Sequence, residues 1–153
     1  MNPSNLSNPF LLQEDASTNV VHSFKSYRQV ATQTASPGQL IVMLYEGAIN
    51  SLERAMQGFE KDDPLEANLT IHNNVTHAQD IILELNSSLN MAAGGDFATT
   101  MRRLYNYMDE RLSESNQRKD PEGVREVVNR LIVLRDAWVE TLHKQPSLEP
   151  VPA

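Results

Sequence analysis

Glu140 and His143 are the residues whose types and spacing most directly suggest chemistry, because they stand three positions apart in a helical pattern. In di-iron helical bundles, an E-x-x-H spacing places a carboxylate and an imidazole on one helix face, where both can bind a metal ion. Such a site needs a second pair and two further glutamates, and no other histidine here follows an acidic residue at that spacing. The incomplete ligand set favours a chance spacing, and a metal-dependent bundle enzyme using Glu140 and His143 stays open as the alternative.

Two other groups of residues could bind a ligand, and each has a simpler interpretation. His72 and His77 are five positions apart, so they point in different directions on a helix and suit polar surface roles. Gly94 and Gly95 lack the preceding strand, the third glycine and the Lys-Ser/Thr pair of a phosphate-binding loop. A turn between helices explains the two glycines better. We therefore predict no catalytic residue, no metal ligand and no cofactor.

The charge of the chain argues against a nucleic-acid partner. The 153 residues include 13 Lys and Arg against 20 Asp and Glu, which gives a formal charge of -7. A nucleic-acid role would need a local basic patch to overcome the repulsion between that charge and the phosphates. Arg102, Arg103 and Arg111 come nearest to a patch, but Asp109 and Glu110 alternate with them as on a solvated helix face.

The composition fits one soluble domain in a reducing compartment. Cysteine is absent, which excludes a disulfide and any thiolate site, and 40% of the residues are hydrophobic. The chain has no apolar run of about 18 residues that could span a bilayer, and its start lacks the basic region of a secretory signal. We expect a cytoplasmic protein without a membrane span.

Proline and glycine divide the chain into four long segments with helical spacing. Pro37, Pro64 and Pro121 each follow a Ser or Asp that can cap a helix, and a proline in the first helical position has no needed N–H to lose. The fourth start follows Gly95. The predicted inward positions are Ile41, Leu44, Ala48, Leu52, Ala55 and Phe59 in the first segment, Ile71, Val75, Ala78, Ile82, Leu85 and Leu89 in the second, Phe97, Met101, Leu104, Met108 and Leu112 in the third, and Val124, Val127, Leu131, Leu134, Trp138 and Leu142 in the fourth.

The predicted fold is all-α: an antiparallel four-helix bundle with an additional short N-terminal helix acting as a cap. The short helix comes from Val20, Phe24 and Tyr27, which repeat at helical spacing. The composition predicts a disordered leader over residues 1–17, a single helical-bundle domain over residues 18–145 and a flexible tail over residues 146–153.

Several motifs occur in an order and spacing that go beyond a generic bundle. Tyr27 precedes the turn TASP at 34–37, and LYEGA follows at 44–48. Downstream stand LYNYM at 104–108 and the closing LRDAW at 134–138. Over about residues 20–143, this pattern resembles the flagellar export chaperone FliS family.

The resemblance implies a cytosolic chaperone and not an enzyme. Such a protein binds the disordered C-terminal region of newly made flagellin, prevents premature polymerisation and holds flagellin for type III secretion. Client anchors would lie in apolar grooves between helices. An adaptor role for another flagellar protein, such as an export-gate component or an anti-sigma factor, is also open, because the same groove could serve it.

The resemblance also implies which residues bind the client. In the FliS family, a short N-terminal helix covers part of the groove and is displaced by flagellin. The displaceable cap would consist of Val20, Phe24 and Tyr27. The partner-binding residues would be Tyr27, Ile41, Leu44, Tyr45, Ala48 and Tyr105.

Overall fold

The structure, a computed structural model, describes residues 36–144, which contain four α-helices and no strand. The predicted N-terminal helix, the leader and the tail lie outside the described residues. The predicted all-α helical bundle is confirmed. The helices are α1 (Pro37–Gly58), α2 (Pro64–Ser87), α3 (Met91–Arg118) and α4 (Pro121–His143).

The chain divides into two units, Met1–Leu40 and Ile41–Ala153, so the boundary falls within α1. In the first unit, Ser36 begins the helix. Its hydroxyl accepts a hydrogen bond from the Gln39 backbone N–H at 3.2 Å, and the Gln39 side-chain oxygen accepts one from the Ser36 N–H at 2.8 Å. Ser36 is thus the predicted cap, and the reciprocal pair is a capping box, which satisfies two backbone donors that the helix leaves unpaired.

Aspartates cap α2 and α4 as predicted. The Asp63 carboxylate accepts from the Glu66 N–H at 3.3 Å, and the Asp120 carboxylate accepts from the Glu122 N–H at 3.1 Å. At α2 the Glu66 carboxylate does not return a hydrogen bond to the Asp63 backbone N–H and instead pairs with Lys61 at 3.0 Å. The stronger attraction of the lysine ammonium accounts for that choice.

Hydrogen bonds between neighbouring helices show that these neighbours are antiparallel. As residue numbers rise along one helix, the numbers of their partners fall along the next. The pairs are Ser51 with His77 and Arg54 with Asn74 between α1 and α2, Gln79 with Ser113 and Asn86 with Asn106 between α2 and α3, and Tyr107 with Glu126 and Ser115 with Val124 between α3 and α4.

The core follows the predicted stripe closely in α2 and through much of α1. Of the six positions predicted for the second segment, five are buried in α2, and the sixth, Leu89, lies just after α2 and is half-buried. In the first segment the two ends of the stripe, Ile41 and Phe59, are half-buried, and Phe59 lies just after α1. The buried apolar side chains of these two helices are Leu44, Tyr45, Ala48, Ile49, Leu52, Ala55, Ile71, Val75, Ala78, Ile81, Ile82 and Leu85.

In α3 the predicted inward stripe is wrong at Phe97, which is 59% exposed, and Leu104 is only half-buried. Ala98 and Tyr105, the next residues along the helix, are buried. The core therefore lies one residue round the helix from part of the apolar stripe. Because Phe97 and Leu104 are apolar and only partly covered, α3 exposes apolar surface outside the core.

The start of α3 also differs from the prediction. We expected Gly94 and Gly95 to end one helix, but α2 ends at Ser87, and Asn90 caps a new turn by accepting from the Ala93 N–H at 3.1 Å. Gly95 then breaks the helix with φ 54° and ψ -136°, a conformation that is open to glycine because it has no Cβ. The fourth helical start is thus a kink inside α3.

The second half of α4 is more open than its pattern predicts. Val124, Val127 and Leu131 are buried, but Leu134 and Trp138 are half-buried. Leu142 is also half-buried. Among the described residues, no helix is both long and apolar enough to cross a membrane.

Candidate functional site

An apolar cavity of about 290 Å³ lies where α2 ends and α3 begins. Residues of all four helices line it, and the only polar side chains in the lining with hydrogen-bonding ends are those of Ser88, Asn90, Tyr105 and Trp138. A recess of this kind suits apolar side chains of another molecule. The apolar lining residues are Ile41, Leu85, Leu89, Phe97, Ala98 and Met101.

Two buried tyrosines form the polar feature beside the cavity. The hydroxyls of Tyr45 and Tyr105 are 2.5 Å apart, and both side chains are almost fully buried. Burial raises the pKa of both hydroxyls, and for Tyr45 the hydrogen bonds from Tyr105 and Trp138 oppose that rise. Both tyrosines therefore stay neutral at physiological pH. Their rings fill the core, while each hydroxyl satisfies the other.

The structure brings some of the predicted partner-binding residues together. Ile41 and Tyr105 line the same cavity, and Tyr45 joins it through its bond to Tyr105. Leu44 and Ala48 are buried in the core and are not part of the cavity lining. Their role in partner binding stays a prediction. The other predicted partner-binding and cap residues, Val20, Phe24 and Tyr27, lie outside the described residues.

A second recess lies between α3 and α4, on a face that the sequence did not indicate as a site. Its volume is about 410 Å³, and its apolar lining comes from Leu104, Val133 and Leu134. Val133 is 67% exposed, so its apolar side chain is accessible to another molecule. We call this recess the α3–α4 groove. It also includes Glu126, Asn129 and Arg130.

A cluster of charged and aromatic side chains closes one edge of the α3–α4 groove. The Glu126 carboxylate accepts from the Tyr107 hydroxyl at 2.5 Å, from Arg111 Nε at 3.1 Å and from Arg130 Nε at 3.0 Å. These donors hold the pKa of Glu126 at about 2, and the largest contribution is the Tyr107 hydrogen bond. The same bond raises the pKa of Tyr107. We call these four residues the Glu126 cluster.

The sequence does contain a signal for the α3–α4 groove. LIVL at 131–134 is a run of four apolar residues, and consecutive helix positions cannot all face one core. Leu131 faces inward, so Val133 must lie on the far side of α4. A search for apolar residues outside the predicted stripe would have found it.

The residues proposed for the alternative enzyme do not converge. Glu140 and His143 are both exposed, and the Glu140 carboxylate pairs with Lys144 at 2.7 Å. Within residues 36–144, no group of three or more His, Asp or Glu could hold a metal ion. The geometry of Glu140 and His143 therefore gives no support to metal chemistry.

The nearest arrangement to a nucleophile and its base is Ser51 with His77. The Ser51 hydroxyl lies 2.6 Å from His77 Nδ1. Ser51 is completely inaccessible to solvent, so a substrate could not reach its hydroxyl. Burial lowers the pKa of His77, and the charge of Arg54 lowers it further. The pair is a neutral link between α1 and α2.

The sequence matches a known protein family over most of its length. The family model described as flagellar protein FliS matches residues 20–145. The chain belongs to the FliS family. The match includes all four described helices and both apolar recesses.

Curated FliS relatives from three bacteria align over most of their lengths. The flagellar secretion chaperone FliS of Bacillus subtilis is 32% identical over 126 residues, which are 82% of this chain and 90% of that protein. The protein of the same name in Salmonella typhimurium is 36% identical over 74% of this chain and 85% of its own length. That of Vibrio cholerae is 31% identical over 76% and 85%. These FliS names describe a chaperone, and none of the three describes a catalytic activity.

Proposed function

We propose that this protein is a cytoplasmic export chaperone that binds the C-terminal region of flagellin, prevents its premature polymerisation and holds it for type III flagellar secretion. The observation that carries the proposal is the apolar cavity at Ile41, because its lining is mostly aliphatic and aromatic and it adjoins a well-packed core. The names of the FliS relatives support a role in flagellar secretion.

Binding would couple to folding of the client. A disordered segment that becomes helical on the chaperone loses conformational entropy, and apolar side chains must recover that loss by leaving water. The Ile41 cavity and the α3–α4 groove both offer aliphatic and aromatic surface for such side chains. A client held in this way would have its apolar residues covered and unable to assemble.

We also propose that Val20, Phe24 and Tyr27 cover the client-binding surface of the empty chaperone. This part of the proposal rests on the sequence resemblance alone. On this view, flagellin displaces the cap, and Ile41 and Tyr105 then contact the client. Leu44, Tyr45 and Ala48 would support that surface from the core.

The test is a binding measurement with purified flagellin and with flagellin lacking its C-terminal segment. The full-length flagellin should form a stable complex, and the truncated one should not. A complex with both, or with neither, would contradict the proposal.

A paired substitution locates the site. Ile41→Asp should weaken flagellin binding by about tenfold or more, because a charge in an apolar recess loses its hydration. Leu65→Asp is the matched control, since Leu65 is 68% exposed and lies at the start of α2. Circular dichroism must show unchanged helicity in both variants. Tyr45→Glu would be a poor test, because Tyr45 is fully buried and its loss would disturb the core.

A further inference from the structure

We infer that Arg130 is a specificity-determining residue, which binds a carboxylate of a helical client segment seated in the α3–α4 groove. The inference rests on the proposed function and deepens it by naming the chemistry of the segment. The segment would carry an apolar residue for the groove and an acidic residue one helical turn away.

The first support is the position of the Arg130 guanidinium. Its Nε donates to Glu126 at 3.0 Å, and its central carbon lies 5.2 Å from the centre of the Tyr107 ring. That distance is within the range of a cation–π interaction. The side chain is therefore held in one orientation before any ligand arrives, which lowers the entropy lost on binding.

The second support is the part of the guanidinium that is still available. Arg130 bonds through Nε alone, and among the described residues Nη1 and Nη2 have no partner. These two nitrogens form the outer edge of the planar fork, which matches the two oxygens of a carboxylate. The side chain is 48% exposed, so a ligand can reach it.

The third support is the charge around the groove. Glu126 is the acidic residue that lines it, and three donors already occupy its carboxylate. Arg103 lies one turn before Tyr107 on α3, is exposed, and has no hydrogen-bond or ion-pair partner in residues 36–144. Arg103 and Arg130 thus provide positive charge beside an apolar groove in a protein with a net charge of -7. Charge complementarity favours an acidic partner.

The geometry also sets the spacing within the segment. Arg130 and Val133 are three residues apart on α4, so they lie on adjacent turns of one face. A helix packed along the groove would place its own acidic and apolar residues three or four positions apart. This spacing distinguishes a suitable segment from one that is only apolar.

The experiment compares flagellin binding by the full-length protein, Arg130→Gln and Arg125→Gln at low and high salt. Arg130→Gln should raise the Kd about tenfold at low salt and reduce its salt dependence, as loss of a charge pair at an interface does. Arg125 is on the same helix but pairs with Glu122 and does not line the groove, so Arg125→Gln should stay within about twofold of the parent.

A double-mutant cycle then identifies the carboxylate. Each acidic residue of the flagellin C-terminal segment is changed to its amide. One change should weaken binding to the parent about tenfold and have little effect on Arg130→Gln. A Kd for Arg130→Gln within about twofold of the parent, or no coupled client residue, would overturn the inference while leaving the proposed function intact. Absence of flagellin binding by the parent would overturn both.

Discussion

Polar side chains at three places in the bundle are paired across helices, and these pairs fix how the helices meet. Tyr45 bonds Tyr105, Ser51 bonds His77, and the Glu126 cluster joins α3 to α4. Within the described residues, no buried side-chain nitrogen or oxygen lacks a hydrogen-bond partner. Since a buried group costs free energy when it loses its partner, these pairs favour one register over its alternatives.

Tyr105→Phe should lower the free energy of unfolding by about 1–2 kcal/mol, because it removes one hydroxyl and leaves the other with fewer bonds. Urea unfolding measures the loss. Tyr107→Phe is the matched control, since Tyr107 is 41% exposed and water can replace its bond to Glu126. An equal loss in the two variants would contradict the assigned burial.

His77 should make the protein less stable as the pH falls from about 7.5 toward 6. Its pKa is lowered in the folded state from the ordinary 6.5, so the unfolded chain binds the proton more tightly. The stabilising effect is therefore fully present above the unfolded pKa and is lost as the pH falls from there through the lower folded pKa. His77→Gln should show a flatter dependence of unfolding free energy on pH over this range. Equal slopes would show that the pKa of His77 is not perturbed.

At the scale of the helices, the sequence predicts the caps and the centre of each stripe better than the edges. Ser36, Asp63 and Asp120 begin their helices as expected because capping depends on local chemistry. The prediction that Phe97 lies in the core was wrong, because periodicity finds apolar residues without showing whether they pack in the core or line a groove. Val133 was missed for the same reason.

The residues around the candidate site show the same limit. Tyr45, Tyr105 and Ile41 came from the motif pattern, and the structure gathers them at one end of the bundle. The Glu126 cluster was not predicted, because its members come from two helices whose register is set by tertiary packing. A single sequence gives no direct measure of that register.

Leu85→Ala should lower the free energy of unfolding by about 2–5 kcal/mol, the range for truncating a buried leucine. Leu85 is 1% exposed on α2. Leu83, two residues earlier, is 55% exposed and provides the control, since Leu83→Ala should cost less than about 0.5 kcal/mol. Chemical denaturation of both variants checks the assignment. Similar losses would mean that the face of α2 is wrongly placed.

At the scale of the whole molecule, binding and stability should be linked. A client segment that binds only the folded chaperone raises its free energy of unfolding, by about 2.7 kcal/mol when the free segment is at a hundred times its Kd. A synthetic peptide of the flagellin C-terminal segment should therefore raise the unfolding midpoint in proportion to the logarithm of its concentration. A scrambled peptide is the control. An unchanged midpoint, with binding otherwise detected, would mean that the peptide also binds the unfolded chain.

The lack of cysteine gives a practical way to observe these events. Because the 153 residues contain no thiol, Asp62→Cys would create a single site for a maleimide dye. Asp62 is exposed in the connection between α1 and α2, beyond the end of α1 that is remote from Ile41. Gly58 is 17 residues after Ile41 on α1, which corresponds to about 25 Å along the helix axis. A dye at position 62 is therefore far from the Ile41 cavity and does not obstruct it, and the slower tumbling of the complex should raise the anisotropy of the dye when the client binds.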